Sequence, residues 1–277
     1  MSRRKSRTSE ENIETDNGMK RKVLLISAIL LVAGIGGALG YHAFTGTSGI
    51  DYGNDGEGSE TTGPYAPGTH MVIMELFVTG SDDCSKAEST VCSMENERSD
   101  FYFVSMVADP YNINMDVIYR FRQIGDMNGT APDAEIDGGR RSVVGTFEES
   151  AYAEAIDESK DAPVPKTSIN GNAALYGDTV LRGNLDISVN EDFSGYVRAF
   201  VLEKSSTRLF NSYGKPVPNA FMGFALNESV EIEHTSTYHR DIQWEGDKLS
   251  SENIAVLVAL YDQRGYAVQA YRFGISQ

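Results

Sequence analysis

The feature that most constrains this chain is an uninterrupted apolar segment from Val23 to Phe44, VLLISAILLVAGIGGALGYHAF, which contains no Asp, Glu, Lys or Arg. As an α-helix, this segment would measure about 33 Å, enough to cross the ~30 Å hydrocarbon core of a bilayer. The sequence therefore predicts one transmembrane helix close to the N-terminus.

The residues that flank this segment predict its orientation. The basic triplet Lys20-Arg21-Lys22 lies directly before it, and acidic residues follow it. The positive-inside rule then places the N-terminus in the cytoplasm and the rest of the chain outside the cell membrane. A cleaved signal peptide is the alternative, but its small-x-small cleavage site is interrupted by Tyr41 and His42, so we favour an uncleaved signal anchor.

Gly36 and Gly40 form a small-xxx-small pattern inside the predicted span. Such a pattern lets two membrane helices approach closely, although small residues are common in these segments in any case. An oligomer formed through Gly36 and Gly40 is therefore one expectation.

Charge is distributed unevenly along the chain. The first 22 residues carry +3 of a net charge of −16, so the remainder carries −19. A part this acidic repels phosphate backbones, which excludes nucleic acid as a partner. The apolar content of 40% is enough for a packed core, which excludes a wholly disordered chain.

Composition then divides the chain into five parts: a cytoplasmic basic tail (1–22), the transmembrane helix (23–44), a flexible acidic linker (45–69) and two domains (70–161 and 166–277). The linker is rich in Gly, Ser, Thr and acids and has no apolar periodicity. Its acids lack the fixed spacing of a calcium loop.

Residues 70–161 alternate strand and helix patterns, which is typical of a layered α/β domain. Ser85 and Glu88 have the spacing of a capping box, so the first helix is expected to start at Ser85. The predicted elements, in order β-α-β-α-β-β-α, are Met71–Val78, Ser85–Asn96, Phe101–Val107, Met115–Ile124, Ala131–Ile136, Arg141–Val144 and Phe147–Ser159.

This order, together with two loops, resembles the thioredoxin fold. The loop Thr79–Cys84 is similar to the turn that holds the reactive cysteine of that superfamily, and Thr130–Asp133 is similar to its cis-proline loop. The nearest resemblance is to a two-domain branch related to bacterial outer-membrane proteins, in which a β-sandwich follows the thioredoxin-like domain. The resemblance implies a catalytic position at Cys84 and a cis bond before Pro132, close to Cys84.

The motif departs from the pattern of that superfamily at one decisive position. A dithiol enzyme needs Cys-x-x-Cys, whereas here Ala87 occupies the position of the second cysteine. Without a resolving thiol, a mixed disulfide cannot be released within the molecule. The sequence therefore predicts a redox-inactive domain.

Cys92 is the only other cysteine. Outside the cytoplasm, a structural disulfide between Cys84 and Cys92 is the expectation. If a continuous helix joins the two residues, however, they lie about 12 Å apart, against the 4.4–6.8 Å that a disulfide requires between Cα atoms. Both outcomes stay open, with the bridge slightly favoured.

Residues 166–277 follow a short linker that contains two prolines, and their pattern predicts short strands separated by turns. About seven strands in this length are typical of an immunoglobulin-like β-sandwich, with the most apolar one, Asn253–Asp262, at its centre. The predicted strands are Thr167–Leu175, Thr179–Val189, Gly195–Lys204, Ala220–Ile232, Thr235–Trp244, Asn253–Asp262 and Tyr266–Ile275.

No motif for a cofactor or a metal occurs, and we expect neither. His234 and His239 would lie on opposite faces of a strand, which argues against a zinc site. Asn128 and Asn227 begin two glycosylation sequons, which chance alone would also produce.

Two functions follow from this sequence. The first is a membrane-anchored extracytoplasmic protein that binds an unknown protein or surface ligand without catalysis. The second is an extracytoplasmic thiol-disulfide oxidoreductase that uses Cys84 with an external thiol. A free and reactive thiol at Cys84 distinguishes the second from the first.

Overall fold

A computed structural model of the chain describes residues 70–109, 113–126, 128–246 and 249–276. The basic tail, the predicted transmembrane helix Val23–Phe44 with Gly36 and Gly40, and the acidic linker lie outside the described residues. Among the described residues, no helix has the length and apolar character needed to span a bilayer. The described residues all belong to one compact unit.

The described part is mostly β-sheet, with three helices in its first half. We call residues 70–161 the α/β half and residues 166–276 the all-β half. The helices are α1 (Asp82–Glu97), α2 (Met115–Ile124) and α3 (Glu149–Lys160). The strands are β1 (Val72–Val78), β2 (Phe101–Val107), β3 (Asp133–Ile136), β4 (Arg141–Val144), β5 (Thr167–Tyr176), β6 (Val180–Val189), β7 (Phe193–Phe210), β8 (Pro216–Ile232), β9 (Tyr238–Glu245), β10 (Ile254–Asp262) and β11 (Ala267–Ser276).

In the α/β half, β1 pairs in parallel with β2 and antiparallel with β3, and β3 pairs antiparallel with β4. Strand β1 is buried along its whole length because both of its faces are covered. Alternate side chains such as Met74 and Leu76 pack in a core with α1 and α3. The intervening Ile73 and Phe77 point to the opposite face, where α2 contributes Val117.

Helix α1 begins earlier than the capping-box pattern predicts. Its N-cap is Ser81, whose side chain accepts a hydrogen bond from the backbone N–H of Cys84, and Asp82 and Asp83 occupy the first turn. Acidic side chains there complement the helix dipole. Ser85 and Glu88 are consequently buried residues inside the helix and do not form its cap. Helix α2, by contrast, has the predicted cap at Asn114 and the predicted bounds.

The eleven strands hydrogen-bond in the order β4-β3-β1-β2-β8-β7-β10-β11-β5-β6-β9. In the all-β half, β10 lies between β7 and β11 and is almost wholly buried, which confirms the central position predicted for it. Residues from β5, β6 and β9 share one apolar core with residues from β7, β8, β10 and β11. Leu181, Leu185, Val256 and Val258 are among its fully buried members.

The β7–β8 hairpin is much longer than the sequence predicts, because β7 extends to Phe210 and β8 begins at Pro216. The register of the two strands shifts between Ser205 and Phe210, so the ladder is irregular there. On the opposite strand, Asn219 has a positive φ of 45° at nearly the same level. We call residues 211–215, which connect the two strands, the hairpin tip.

A third core joins the two halves. It contains Ile73 and Met106 from the α/β half together with Phe200, Leu257 and Tyr261 from the all-β half, all of them fully buried. Phe200 also contacts two further rings, with centroids at 6.0 Å for Phe221 and 5.1 Å for Phe224. The halves therefore share apolar surface as well as a continuous sheet.

Candidate functional site

Cys84 lies in the first turn of α1, directly after the loop that leaves β1. Its Sγ accepts a hydrogen bond from the backbone N–H of Thr79 at 3.2 Å, and the Thr79 hydroxyl lies 3.5 Å away. The start of a helix is the position that reactive cysteines occupy in thiol enzymes. The local geometry is therefore that of a thiol site.

This thiol is nevertheless covered. Cys84 and its neighbour Ser85 are fully buried, with 0% of each exposed. The hairpin tip reaches α1 here, since the backbone N–H of Ser212 donates to the Ser85 hydroxyl at 3.0 Å and the two hydroxyls lie 2.8 Å apart. A segment of the all-β half thus contacts α1 at Ser85, while the Cys84 side chain is buried in the core of the α/β half.

Glu88 lies one turn further along α1 and is also buried beneath the hairpin tip, with 2% exposed. Burial raises the pKa of Glu88 to about 7, and a hydrogen bond from Asn211 works in the opposite direction. Its Oε2 atom is buried and has no hydrogen-bond partner. Asn211 in turn shapes the tip, because its side-chain oxygen accepts from the backbone N–H groups of Tyr213 and Lys215 at 3.1 Å each.

The expected disulfide between Cys84 and Cys92 is not formed, and both cysteines are free. The physical reason is the continuous helix from Asp82 to Glu97. Eight residues of helix separate the cysteines by about 12 Å, beyond the reach of a disulfide. Cys92 is partly exposed, and burial together with the charge of Glu95 raises the pKa of its thiol.

The peptide bond between Ala131 and Pro132 is cis, the isomer that the resemblance implies. The carbonyl of Pro132 accepts a hydrogen bond from the N–H of Gly145 at 2.8 Å. Ala131 is partly buried against the same core that contains Cys84. The proline loop and the thiol therefore belong to one region of the α/β half.

Tyr152 of α3 connects this region to the carboxylates of β3. Its hydroxyl donates to the carbonyl of Thr146 at 2.6 Å. Burial raises the pKa of Tyr152, with smaller contributions from Cys84 and Asp133. Tyr152 is thus a neutral, fully buried side chain among these groups.

Two buried carboxyl groups, Asp133 and Glu135, lie on β3. Burial raises the pKa of both, and the pKa of Glu135 reaches about 8 because the neighbouring charges of Asp133 and Glu75 add to burial. The hydroxyl of Ser142 donates to Glu135 at 2.6 Å, and the N–H of Asp126 donates to Asp133 at 2.6 Å. Glu135 is consequently protonated at neutral pH.

Glu75, the partner of Glu135 in the β1–β3 register, carries a buried ion pair. The guanidinium of Arg120 donates to both oxygens of Glu75, at 2.6 and 2.5 Å, and the hydroxyl of Tyr261 donates to one of them at 3.2 Å. A second guanidinium, that of Arg198, lies 4.6 Å from the centre of the Tyr261 ring. This network spans both halves of the molecule.

A second buried polar cluster surrounds Asp137. Its carboxylate accepts hydrogen bonds from Ser159 at 2.6 Å and from the N–H of Ile73 at 3.0 Å, and it lies 2.8 Å from the ring of His70. The serine bonds the aspartate and not the histidine, so the three residues do not form a nucleophilic triad. They anchor the start of β1.

A groove of about 490 Å³ lies at the carboxyl end of β2, between α2 and the stem of the β7–β8 hairpin. Met115, Leu209, Phe221, Met222 and Trp244 line it. The polar side chains of Ser206, Arg208 and Glu245 line it as well, and its exposed lining is more polar than apolar. The sequence did not indicate it because its lining comes from five separate elements, β2, α2, β7, β8 and β9.

The remaining candidate residues from the sequence analysis do not lie together in one site. No group of three or more His, Cys, Asp or Glu side chains suited to a metal occurs within the described ranges. His239 contacts Asp186 at 2.6 Å on the surface. Asn128 is exposed, and the side-chain oxygen of Asn227 accepts a hydrogen bond from Arg198 at 3.2 Å.

The sequence indicated Cys84 and Pro132 as candidate site residues but did not indicate the polar groups on the neighbouring face of α1. Glu88 and Asn211 lie 123 positions apart, and Ser85 bonds a serine 127 positions away. Glu88 was interpreted as part of a helix cap. The sequence contains one signal that Glu88 is buried. Cys84, four residues before it, and Val91, three residues after it, are apolar and lie on nearly the same side of the helix.

No protein-family profile and no curated protein sequence matches this chain. Among solved structures, the chain is similar to HBP35 of Porphyromonas gingivalis, with a TM-score of 0.56 and 11% identity over 74% of this chain and 75% of that one. A domain of the outer-membrane lipoprotein Omp28 from the same organism gives a TM-score of 0.28 at 16% identity, covering 42% of this chain and 93% of the domain. A β-glucosidase from Kluyveromyces marxianus gives 0.27 at 12% identity, covering 43% and 15%. The likeness to HBP35 shows a shared fold; the other two are too low to support an argument.

Proposed function

We propose that this chain is a membrane-anchored extracytoplasmic binding protein whose thioredoxin-like domain, residues 70–161, is redox-inactive. An immunoglobulin-like β-sandwich, residues 166–277, completes it. The observation that carries the proposal is the covered thiol. Cys84 is fully buried in the core of the α/β half, and Ala87 occupies the position where a dithiol enzyme needs its second cysteine.

Three features support the thioredoxin-like assignment. The element order and pairing of β1 to β4 with α1 to α3 follow the order expected for that fold. A cysteine lies in the first turn of the helix that follows β1. A cis-proline precedes β3. The shared fold with HBP35 over three quarters of this chain agrees with a two-part architecture of this size.

The chemistry expected of such a thiol is blocked on two counts. A substrate disulfide must reach the Cys84 sulfur in line with the bond that is attacked, and a thiol that is 0% exposed offers no such approach. A mixed disulfide, once formed, would need a second thiol, and Cys92 lies two turns further along the same helix. The domain therefore acts through its surface, and the partner is an unidentified protein or surface ligand.

The anchor and its orientation are supported by the sequence. The segment Val23–Phe44 has the length of a membrane span, and Lys20–Lys22 on its N-terminal side favours a cytoplasmic tail. Protease added to intact cells should then remove everything beyond Thr45 and spare the tail. Protection of the C-terminal region would contradict the extracytoplasmic location.

The test of redox inactivity is a disulfide-reduction assay with the full-length protein and a small dithiol as electron donor. We expect the wild-type rate to equal that of the Cys84→Ser variant and that of the donor alone. Capture of partners from intact membranes should be unaffected by the same substitution. A rate that depends on Cys84 would overturn the proposal.

The alternative is an extracytoplasmic thiol-disulfide oxidoreductase that uses Cys84 with an external thiol. The hydrogen bond from the Thr79 N–H to the sulfur favours it, because that position at the start of a helix is where thiol enzymes hold their nucleophile. The same assay, supplied with a monothiol donor, distinguishes it from the first proposal.

A further inference from the structure

We propose that the groove at the carboxyl end of β2 binds a neutral saccharide, with Trp244 as the surface on which a sugar ring packs. The inference rests on the proposed function and deepens it, because it names a class of surface ligand for a protein that acts by binding. The construction of the groove, the state of its tryptophan and the chemistry of its lining support it.

The groove has the size and the construction of a small-ligand site. Its volume of about 490 Å³ lies within the range of roughly 300–1,000 Å³ that is typical of such sites. Side chains of β2 and α2 meet side chains of β7, β8 and β9 in its lining, so both halves of the molecule contribute. Four of these five elements are strands of the continuous sheet, which holds the walls at fixed positions.

Trp244, the only tryptophan of the chain, is held in place by its neighbours. Its side chain packs against the core of the all-β half and is partly exposed where it lines the groove. Two glycines leave the room that the indole occupies: a Cβ atom at Gly223 would lie 2.6 Å from Nε1, and one at Gly246 would lie 2.2 Å from Cη2. Because real Cβ atoms do not approach other atoms so closely, the surrounding backbone is fitted to an aromatic ring at this position. Such a fixed surface reduces the entropy that is lost when a ligand packs on it.

The indole N–H of Trp244 is a hydrogen-bond donor without a protein acceptor. Within the part of the chain that the structure describes, no group accepts a hydrogen bond from its Nε1 atom. Packed tryptophans usually place this N–H on an acceptor, because an unmade hydrogen bond costs free energy. A ligand hydroxyl in the groove would supply the acceptor.

The polar side chains of the lining offer further donors and an acceptor. Arg208 lies on the stem of the hairpin, Glu245 follows Trp244, and Asn114 precedes α2. The side-chain oxygen of Asn114 caps α2 by accepting from the N–H of Asp116 at 3.0 Å, which leaves the Nδ2 group of Asn114 for another acceptor. Glu245 is exposed, and among the described ranges its carboxylate forms no hydrogen bond or ion pair. A ligand that uses this lining must therefore both accept and donate hydrogen bonds.

These features indicate a neutral ring that carries several hydroxyls. The one cationic and the one anionic side chain of the lining, Arg208 and Glu245, balance each other, and the net charge of −16 disfavours an anion. The exposed lining is more polar than apolar, which disfavours a wholly apolar molecule. The hydroxyls of a pyranose ring both donate and accept, and its C–H groups form an apolar face that packs on an aromatic ring. A saccharide is thus the class of ligand that uses Trp244 and the polar lining together.

The fluorescence of Trp244 reports on this groove directly, because the full-length protein contains no other tryptophan. The probes are maltose, cellobiose, lactose and N,N′-diacetylchitobiose, which differ in their linkage, in the orientation of a hydroxyl and in an N-acetyl group. We expect at least one of them to change the Trp244 emission in a saturable way at millimolar concentration or below. Hexanol serves as the apolar probe and should have no effect.

Variants of the lining show whether the saccharide occupies the groove. Glu245→Gln removes a charged acceptor and should raise the Kd about tenfold, the effect of losing one hydrogen bond to a charged group. Its matched control is Asp241→Asn, an exposed acid on the same strand outside the groove, which should keep the wild-type Kd. Met115→Ala removes part of the apolar wall and should raise the Kd several-fold, whereas Tyr119→Ala, exposed one turn further along α2, should not.

The inference is overturned if none of the four disaccharides gives a saturable response, or if the response is unchanged by both Glu245→Gln and Met115→Ala. A response to hexanol without a response to the disaccharides would identify an apolar site in place of the saccharide site. None of these results bears on Cys84. The proposed function fails separately, when Cys84→Ser changes the rate of disulfide reduction.

Discussion

At the scale of single residues, the buried acids have the clearest consequences. Glu88 and Glu135 have pKa values of about 7 and about 8 in the folded chain, mainly because both are buried. In the unfolded chain, both return to an ordinary value near 4.5. Between pH 4.5 and about 8, the folded state therefore binds more protons than the unfolded state.

This difference predicts a protein that loses stability as pH rises. The free energy of unfolding should fall by up to about 1.4 kcal/mol per pH unit for each acid, from pH 4.5 to about 7 for Glu88 and from pH 4.5 to about 8 for Glu135, and then level off. Denaturant unfolding at a series of pH values measures it. The Glu135→Gln variant should have a shallower slope, while Glu97→Gln, at an exposed position of α1, should keep the wild-type slope. Equal slopes for the two variants would contradict the raised pKa of Glu135 in the folded protein.

The ion pair of Glu75 with Arg120 leads to a second prediction at this scale. The two side chains are 0% and 4% exposed, so removing one leaves the other charge buried without its partner. Arg120→Met should therefore lower the free energy of unfolding by about 3–5 kcal/mol. Arg141→Met, which removes an exposed pair with Glu158, is the matched control and should cost about 1 kcal/mol or less. Similar losses for the two variants would show that burial of the pair does not matter.

At the scale of secondary-structure elements, most of the strands and helices follow from local patterns. The apolar runs at β1, β2 and β10 predict buried strands, and Asn114 and Gly125 correctly bound α2. The predicted start of α1, Ser85, was wrong by three residues. Two possible N-terminal caps, Ser81 and the capping box of Ser85 and Glu88, lie close together in the sequence. Ser81 forms the cap, with two acids in the turn that follows it, whereas Ser85 lies inside the helix and contacts the tip.

The observed cap predicts which serine of this helix matters for its stability. Ser81→Ala removes the side-chain oxygen that accepts the N–H of Cys84, and it should destabilise the protein by about 1 kcal/mol. Ser93→Ala, at an exposed position of the same helix, should be neutral. Thermal unfolding of the two variants measures the difference. A neutral Ser81→Ala would imply that the helix starts where the capping-box pattern placed it.

The length of the β7–β8 hairpin could not be predicted from local pattern. Beyond Lys204 the alternation of apolar and polar residues weakens, and KSSTRLFNSYGKPVPN reads as a loop. The strands continue because the tip finds its partners on α1, which is more than a hundred residues away in sequence. Contacts of this range decide whether a weak strand forms, and a single sequence does not reveal them.

At the scale of the whole molecule, the two halves share one sheet and one core. Strand β2 pairs with β8 at Ser105 and Ala220, and the third core contains side chains of both halves. Glu95 reinforces the junction, since its carboxylate accepts from Arg272 of β11 at 2.7 Å and from Asn219 of β8 at 3.0 Å. The sequence predicted two successive domains but did not indicate how extensive their contact is. An apolar run such as β1 predicts a strand buried on both faces, but it does not reveal which part of the chain covers each face.

Shared packing of this kind predicts a single unfolding transition. Phe200→Ala, which removes a fully buried ring from the third core, should lower the free energy of unfolding by about 3–5 kcal/mol. It should also reduce amide protection in β1 and in β10 to the same extent, although Phe200 belongs to neither strand. Hydrogen exchange measures both strands in one experiment. Loss of protection in β10 alone would show that the halves unfold independently.

The central claim, a free thiol at Cys84 that is buried in the core of the α/β half, is tested most directly by the mass of the unreduced protein after alkylation at pH 8.5. We predict a single label, on Cys92, in the native protein, and two labels after denaturation without reductant. Rapid labelling of Cys84 in the native protein would contradict its burial. A protein two hydrogens lighter than the sequence mass, with no label after denaturation, would show that Cys84 and Cys92 are bridged and contradict the free thiol.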